Sequence, residues 1–582
     1  MKLIFKKFTV KNWLVLLGIL LLTILQVFCM MKIVDVIAQL TVAMQAGDLD
    51  AIWNIGWALV GYAALLLGGM LVAEVGASWD AAEIVTRLRN ETYHKVNEFA
   101  LADLDAFSTE SLITRTTNDM QNLHLALITC FRVIFLVPVL VIWSITKILS
   151  YDKSLTIASG IWIVILIIII LVIVAVLMPK YNALQKLTDA LNVAARENLT
   201  GLQVVRAFNA EEYQEAKFDK ANQEFTLVNL FTSKAVAFLA PLLMFVLNGL
   251  TLTILWVSAY FIDGLSADLA LVGFANTNSF VMLASQVIIG FVLLLTLIVV
   301  WPRGMACAKR IQEVLDHEVS MEDAKAPEEL KEKGTIEFKN VSFAYPGADG
   351  YAIEDFSFKV ERGQTLAFIG ATGSGKTTAV NLMPRLHDAT VGEVYIDGVN
   401  VKNISEKKLH SLIGYVPQRK FLFKGTVRDN ISLSRPDMSL EDVVEAAKVA
   451  EADGFIMASD KGKGYDNPVA QGGTNYSGGQ KQRLCIARAI AKKAEILIFD
   501  DSFSALDYRT DSKVRANIKK FDENVTRVIV AARIGTIMDA DMILVLDKGK
   551  IVGRGKHEDL LRNCDVYREI ALTQLSKEEL GL

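Results

Sequence analysis

The stretch "GQTLAFIGATGSGKTTAV", Gly363–Val380, decides how the second half of this chain folds. An apolar run ends at Ile369, the loop Gly370-Ala371-Thr372-Gly373-Ser374-Gly375 follows, and Lys376-Thr377-Thr378 opens a helical pattern. This is GxxxxGK[ST] between a strand and a helix, a spacing with a physical reason. Glycines let successive backbone N–H groups converge on phosphate oxygens, the lysine neutralises the β and γ oxygens, and the threonine hydroxyl can ligate Mg²⁺. Residues 370–378 are therefore the expected seat of a nucleoside triphosphate, with Thr377 at the metal.

Outward from this loop, "EILIFD" (Glu495–Asp500) is a second apolar strand ending in a carboxylate. Asp500 can hold magnesium through water, as phosphoryl-transfer sites require. From about Glu328 onward, short apolar runs alternate with polar helical segments, the pattern of an α/β domain.

The first half has a different composition. With 582 residues the chain exceeds one ordinary domain, and its 52% hydrophobic content is too high for a purely soluble protein. The excess lies before about Trp301. Six stretches, approximately 13–37, 55–78, 131–149, 155–178, 236–261 and 272–301, are long and apolar enough to span a bilayer. "IWIVILIIIILVIVAVLM" (Ile161–Met178) has no polar face to turn to water, which excludes six buried helices of a soluble protein. The first stretch is too long for a cleaved signal segment.

Lysine and arginine in the connections set the orientation. The N-terminal "MKLIFKKFTVK" and the segments 79–130 and 179–235 are basic, whereas the short connections near Ala46–Asp50 and Asp263–Asp268 hold no Lys or Arg. Both termini are expected in the cytoplasm. The two long segments are polar and helix-rich, so the spans are expected to continue as helices and turn near Asp105–Asp119 and Thr200–Phe218.

The net charge of −4 and the dispersed basic residues argue against a nucleic-acid partner. Five separated cysteines without a CxxC pair indicate neither a disulfide framework nor a zinc site.

"TNYSGGQKQRLCIARAI" (Thr474–Ile490) narrows the class. "YSGGQ" ahead of a helix, about 20 residues before Asp500, resembles the signature of ATP-binding cassette proteins, and six spans preceding one cassette resemble a half-transporter of the ABC exporter class. The resemblance covers essentially the whole chain. It implies a membrane domain of six long helices (1–315, with two coupling helices), a linker (316–334) and an α/β P-loop nucleotide-binding domain (335–582). It also implies ATP and Mg²⁺ as ligands, a second half-transporter as partner, and a multi-pass place in a bacterial plasma membrane with the nucleotide domain cytoplasmic.

The family pattern assigns further residues. Tyr345 in "VSFAYPG" matches the aromatic that stacks on adenine. Gln418 in "YVPQ" matches the glutamine that touches Mg²⁺ and senses the membrane domain. Ser477, Gly478, Gly479 and Gln480 match the signature that closes on the γ-phosphate held by the opposite cassette, where N–H groups at a helix start attract an anion. Ser504–Asp507, "SALD", match the segment that crosses to the partner. Asp105–Asp119 and the turn around "VVRAFNAEE" match the coupling helices.

Two positions depart from that pattern. A glutamate normally follows the magnesium aspartate and activates water; here it is Asp501, one methylene shorter, and general-base reach of about 2.6–3.2 Å does not tolerate the difference well. The switch histidine is replaced by Ala532 in "VIVAARIGTI", so no side chain remains to hold the γ-phosphate. Gln471 also stands where many exporters have glutamate. The phosphate loop and signature match throughout. The expected protein is the degenerate-site subunit of a heterodimeric multidrug-type exporter, its signature completing the partner's site. A homodimeric exporter tolerating Asp501 and a nucleotide-sensing membrane regulator are the alternatives.

The order of spans and cassette disfavours an importer. Substrate is expected to be a small amphipathic or hydrophobic compound, because the spans read as lacking charged residues deep within them. Glu74, Arg132 and Lys147 read as interfacial, and Gln26, Asn248, Asn276, Asn278 and Gln286 as polar groups within spans.

Overall fold

A computed structural model describes residues 7–151, 153–263, 266–458, 463–578 and 580. Lys2 and Lys6 of the basic N-terminal stretch and residues 264–265 of the 263–268 connection, used above for orientation, lie outside the described residues. The chain forms two compact units, Met1–Asn97 with Glu110–His317, and Glu98–Thr109 with Glu318–Leu582.

Among the described residues, six long helices make the first unit: α1 (Val10–Ala46), α2 (Leu49–Asn97), α3 (Asn118–Ile148), α4 (Lys153–Thr200), α5 (Glu211–Ile262) and α6 (Ala267–Leu315). All six are long and apolar enough to cross a membrane. Helix α1 has 37 residues, and at about 1.5 Å per residue it is some 55 Å long, well beyond a hydrocarbon core of about 30 Å. The expected continuation of the spans as helices is therefore observed. Thr9 caps α1 in a reciprocal box with Asn12, and Gly47 ends it in the left-handed region at φ +72°. Large apolar side chains such as Trp57, Leu67, Ile168 and Trp256 face outward, as a lipid solvent allows.

The expected turns differ in detail. The 105–119 stretch is broken at Ser108 (φ +56°) into two short helices, Leu101–Phe107 and Thr109–Thr116, and the second turn carries only Leu202–Ala207. The first of these short helices groups with the second unit, where Asp103 accepts the amides of Ala100 (3.0 Å) and Ser320 (3.2 Å).

Among the described residues, twelve strands build the second unit: β1 (Ile336–Phe343), β2 (Ile353–Val360), β3 (Thr365–Gly370), β4 (Val391–Ile396), β5 (Val399–Asn400), β6 (Ile413–Val416), β7 (Gly425–Thr426), β8 (Pro468–Val469), β9 (Ile496–Asp500), β10 (Thr526–Val530), β11 (Met542–Asp547) and β12 (Lys550–Gly555). The main sheet has the order β12-β11-β3-β10-β9-β6, parallel from β11 to β6. Strands β9 and β10 are buried at every position, as their apolar stretches Ile496–Phe499 and Val528–Val530 suit. A smaller sheet, β2-β1-β4-β5, packs with β3 around Phe338, Phe356 and Phe368. Parallel strands bring their carboxyl ends to one edge, the usual ligand edge of such sheets. Here that edge gathers Gly370, Asp500 and Val530, with Gln418 two residues beyond β6.

Asp397, in the turn between β4 and β5, is fully buried at φ +51°. Its Oδ1 accepts the Thr335 amide at 3.0 Å, while Oδ2 has no partner among the described residues. Burial pushes its carboxyl up to about 6. Because the folded value lies above the unfolded one of about 3.9, ionisation costs stability: the contribution is fully present below pH 4 and is lost as pH rises through 6. Melting of wild type and Asp397→Asn side by side is expected to show a midpoint difference that changes between pH 4 and 6.5 and is flat outside that window.

Candidate functional site

The loop after β3 is held open by glycines that cannot be replaced. At Gly375 (φ +98°) a Cβ would lie 2.6 Å from Ile353 Cγ2 and 2.7 Å from the Ala352 carbonyl oxygen; at Gly370 it would lie 2.1 Å from the Leu546 carbonyl oxygen. Both glycines are demanded by close backbone approach. Ala371, Thr372 and Gly373 are exposed on the loop, and Ser374 is buried beneath it. Lys376 opens helix α7 (Lys376–Leu382) and turns its Nζ back to the carbonyl oxygens of Gly370 and Ala371, each at 2.8 Å. Burial lowers the Lys376 ammonium from its ordinary value, against the opposing pull of Asp501 and Asp500.

Thr377 donates its hydroxyl to Asp500 Oδ1 at 3.1 Å, joining the phosphate loop to the end of β9. Asp500 is buried, its Oδ2 has no partner among the described residues, and burial together with the neighbouring Asp501 pushes its carboxyl up to about 6. A part-buried hydroxyl–carboxylate pair with one unpartnered oxygen fits an oxygen-seeking divalent cation such as Mg²⁺, whose charge would offset the cost of ionising Asp500.

Tyr345 is half exposed, and its hydroxyl bonds Thr378 Oγ1 at 3.0 Å, which ties an aromatic face to the phosphate-loop helix. The edge of its ring meets Phe343 and His387 at centroid distances of 4.9 and 5.5 Å. Gln418 is exposed beyond β6.

Asp501 and Ala532 leave the ends of the neighbouring strands β9 and β10, one and two residues beyond a paired position. Val530 pairs with Asp500, and the Asp501 amide donates to the Val530 carbonyl at 3.1 Å. Asp501 sits at φ +47°, a region aspartate tolerates better than most residues. Sequence reasoning missed what braces this edge. Arg533 donates to the carbonyls of Ser504 (3.1 Å) and Leu506 (3.3 Å). Gln574, last residue of the helix Asp565–Gln574, donates to the Ala532 carbonyl and accepts the Ile534 amide, both at 2.8 Å. Side chains meeting backbone 40 residues away leave no pattern to read.

The signature stands apart from the loop. Ser477 caps helix α8 (Gly478–Ala491), and Gln480 returns its side chain to the Ser477 amide at 2.9 Å. No hydrogen bond joins Ser477–Gln480 to residues 370–378 among the described residues. A Cβ on Gly479 would lie 3.3 Å from the Ala505 carbonyl oxygen, so the signature adjoins the "SALD" segment. Farther along α8, Arg488 binds Asn430 (Nε to its carbonyl and Nη2 to Oδ1, both 2.8 Å) and the Phe421 carbonyl (3.0 Å), fixing the strip that follows Gln418.

The chain belongs to the ABC transporter family. Residues 353–504 match the ABC transporter family and residues 13–286 the ABC transporter transmembrane region. It is 33% identical to the uncharacterized ABC transporter ATP-binding protein Rv1273c of Mycobacterium tuberculosis, over 92% of this chain and 91% of that one. An ATP-dependent lipid A-core flippase of Albidiferax ferrireducens is 31% identical, over 91% and 90%. The putative multidrug export ATP-binding/permease protein YgaD of Bacillus subtilis is 30% identical, over 86% and 85%. The fold matches that of a bacterial Atm1-family ABC exporter with ATP bound, with a TM-score of 0.78 at 24% identity over 97% of this chain and 98% of that one. An ABC exporter fold with six membrane helices fused ahead of a nucleotide domain is thus established, and ATP hydrolysis with it.

Gly375→Ala is expected to weaken nucleotide binding at least about tenfold, a loss of about 1.4 kcal/mol, because at φ +98° its Cβ meets the Ala352 backbone carbonyl as well as Ile353 Cγ2. Titration with a fluorescent ATP analogue checks this.

Proposed function

We propose that this chain is one half of a heterodimeric exporter that uses ATP to move amphipathic or hydrophobic compounds across the plasma membrane, and that its own ATP site is degenerate. The observation that carries the proposal is that Asp501 and Ala532 follow the paired strand ends Asp500 and Val530, at the edge from which the phosphate loop also leaves. Two independent losses meet at one site: a carboxylate shortened by one methylene, and a missing imidazole. Positioning and general-base groups each contribute orders of magnitude to rate, so this site holds nucleotide longer than it hydrolyses it.

In this reading Lys376 and the loop amides neutralise the β- and γ-phosphates, Tyr345 stacks on the base, and Thr377, Asp500 and Gln418 surround the metal. Bound magnesium supplies charge stabilisation to the transferring phosphoryl group. Ser477, Gly478, Gly479 and Gln480 face the partner's nucleotide, where an intact base performs the hydrolysis. Arg533 and Gln574 keep the Ala532 segment and the "SALD" segment in fixed register. The nucleotide domain and both chain ends lie in the cytoplasm, and the short turns at Leu101–Thr116 and Leu202–Ala207 transmit cassette closure to the spans. Transport is then a two-state equilibrium biased by ATP. Similarity to a lipid flippase and to a multidrug export protein supports an amphipathic cargo.

The purified single chain is expected to hydrolyse ATP feebly, and coexpression with its partner half-transporter to restore turnover. In that complex Asp501→Asn changes turnover little, whereas neutralising the partner's glutamate abolishes it. A single-chain homodimer with rapid ATPase contradicts the proposal, and failure of inside-out vesicles to accumulate any substrate identifies a regulator instead.

Asp501→Glu combined with Ala532→His restores base reach and the switch side chain together. Steady-state ATPase of the double variant, with the partner's glutamate neutralised, is expected to rise at least about tenfold over the same complex carrying Asp501 and Ala532.

A further inference from the structure

Few charges lie within the spans, and two of them meet. Glu74 on α2 and Arg132 on α3 pair at 3.4 Å, their side chains 43% and 42% exposed. Their sequence positions read as interfacial, and helix rise allows their depth to be reckoned. Toward the amino terminus Trp13 and Trp79 stand exposed, with Lys11 Nζ 4.1 Å over the Trp79 ring, an aromatic and basic belt of the kind that marks an interface. At the opposite end Lys147 binds Asp35 at 2.5 Å. Glu74 precedes Trp79 by five residues, or ~7.5 Å of helix, and Arg132 precedes Lys147 by fifteen, or ~22 Å. Together these rises match a hydrocarbon core of about 30 Å. The pair therefore lies about a quarter of the way into the apolar layer.

Charge at that depth is expensive and is associated with function. Beside the pair is a cavity of about 20 Å³ lined by Thr23, Gln26, Met70 and Leu136, room for roughly one water-sized group. Thr23 spends its donor on the Ile19 carbonyl at 2.7 Å, which leaves its hydroxyl oxygen free to accept. The Gln26 amide has no hydrogen-bond partner among the described residues. On α2, Leu71 and Leu67, three and seven residues before Glu74, share its helix face and are exposed.

An ion pair is neutral yet strongly dipolar. A ligand of net charge would carry uncompensated charge into hydrocarbon, whereas a zwitterion lying antiparallel to the pair satisfies both ends and adds none. We propose that Glu74, Arg132 and Gln26 form a binding site for the head group of a zwitterionic phospholipid drawn from the leaflet on the amino-terminal side. Its phosphate lies against the Arg132 guanidinium, its ammonium against Glu74, and the Gln26 amide donates to an ester oxygen, while the acyl chains follow Leu71 and Leu67. The site requires only that the chain spans a membrane, and is independent of which partner subunit it takes.

The test uses the full transporter in its purified oligomeric form, in nanodiscs of mixed phosphatidylethanolamine and phosphatidylglycerol, with retained lipid counted by native mass spectrometry. Wild type is expected to retain phosphatidylethanolamine preferentially. Glu74→Gln leaves the arginine alone and should swing the preference toward phosphatidylglycerol by about fivefold, the worth of roughly one charge near a leaflet. Arg132→Gln should lower retention of both phospholipids and make the cationic amphiphile dodecyltrimethylammonium an effective competitor. The double variant, neutral and still able to hydrogen-bond, should show no preference. The same lipid selectivity in wild type and all three variants, or a preference for phosphatidylethanolamine kept by a double variant of unchanged melting temperature, overturns the proposal.

Discussion

The site depends on one backbone constraint: β3, β10 and β9 run parallel and in register, with Ile529 beside Ala367 on one side and beside Phe499 on the other. That ladder fixes where three distant segments emerge. The phosphate loop leaves β3, the Asp500–Asp501 pair leaves β9, and the Ala532 segment leaves β10, all at the same edge. No side-chain contact would bring residues 370, 501 and 532 together without it. Because the strands are buried on both faces, shifting one of them would expose or crowd a continuous apolar layer, so the edge is rigid.

A rigid edge makes small chemical differences count. With Asp500 set by β9 and Thr377, and Asp501 anchored by its amide to Val530, a carboxylate shortened by one methylene cannot be rescued by backbone drift. The bracing of Ala532 by Gln574 and of Ser504–Leu506 by Arg533 extends this rigidity to the segment that the family resemblance directs toward a partner. Under the proposed function, a site that hydrolyses slowly but holds its shape would suit a subunit whose contribution is to present surfaces to another chain.

Much of the architecture was legible because local sequence and global fold agree. Apolar runs of bilayer length became helices, "GATGSGKTT" became a strand–loop–helix, and "ILIFD" became a buried parallel strand ending in Asp500. The illegible parts share a cause: they depend on register between segments remote in sequence. The break at Ser108 follows one backbone conformation rather than composition. The pairing of Glu74 with Arg132 is another case, since neither sequence position reveals that α2 and α3 set them opposite each other. Arg533 and Gln574 went unnoticed because their partners are backbone carbonyls and amides. The same holds for Gln480, whose side chain closes its own helix start, a structural duty alongside the one the signature implies.

The central claim is that the site at Asp501 retains ATP while the other site of the assembly turns over. Its most direct measurement is photolabelling with a γ- and α-labelled azido-ATP during steady-state turnover of the complex, followed by separation of the two chains. The account requires this chain to carry mainly triphosphate and its partner mainly diphosphate. Equal proportions of diphosphate on both chains would contradict it.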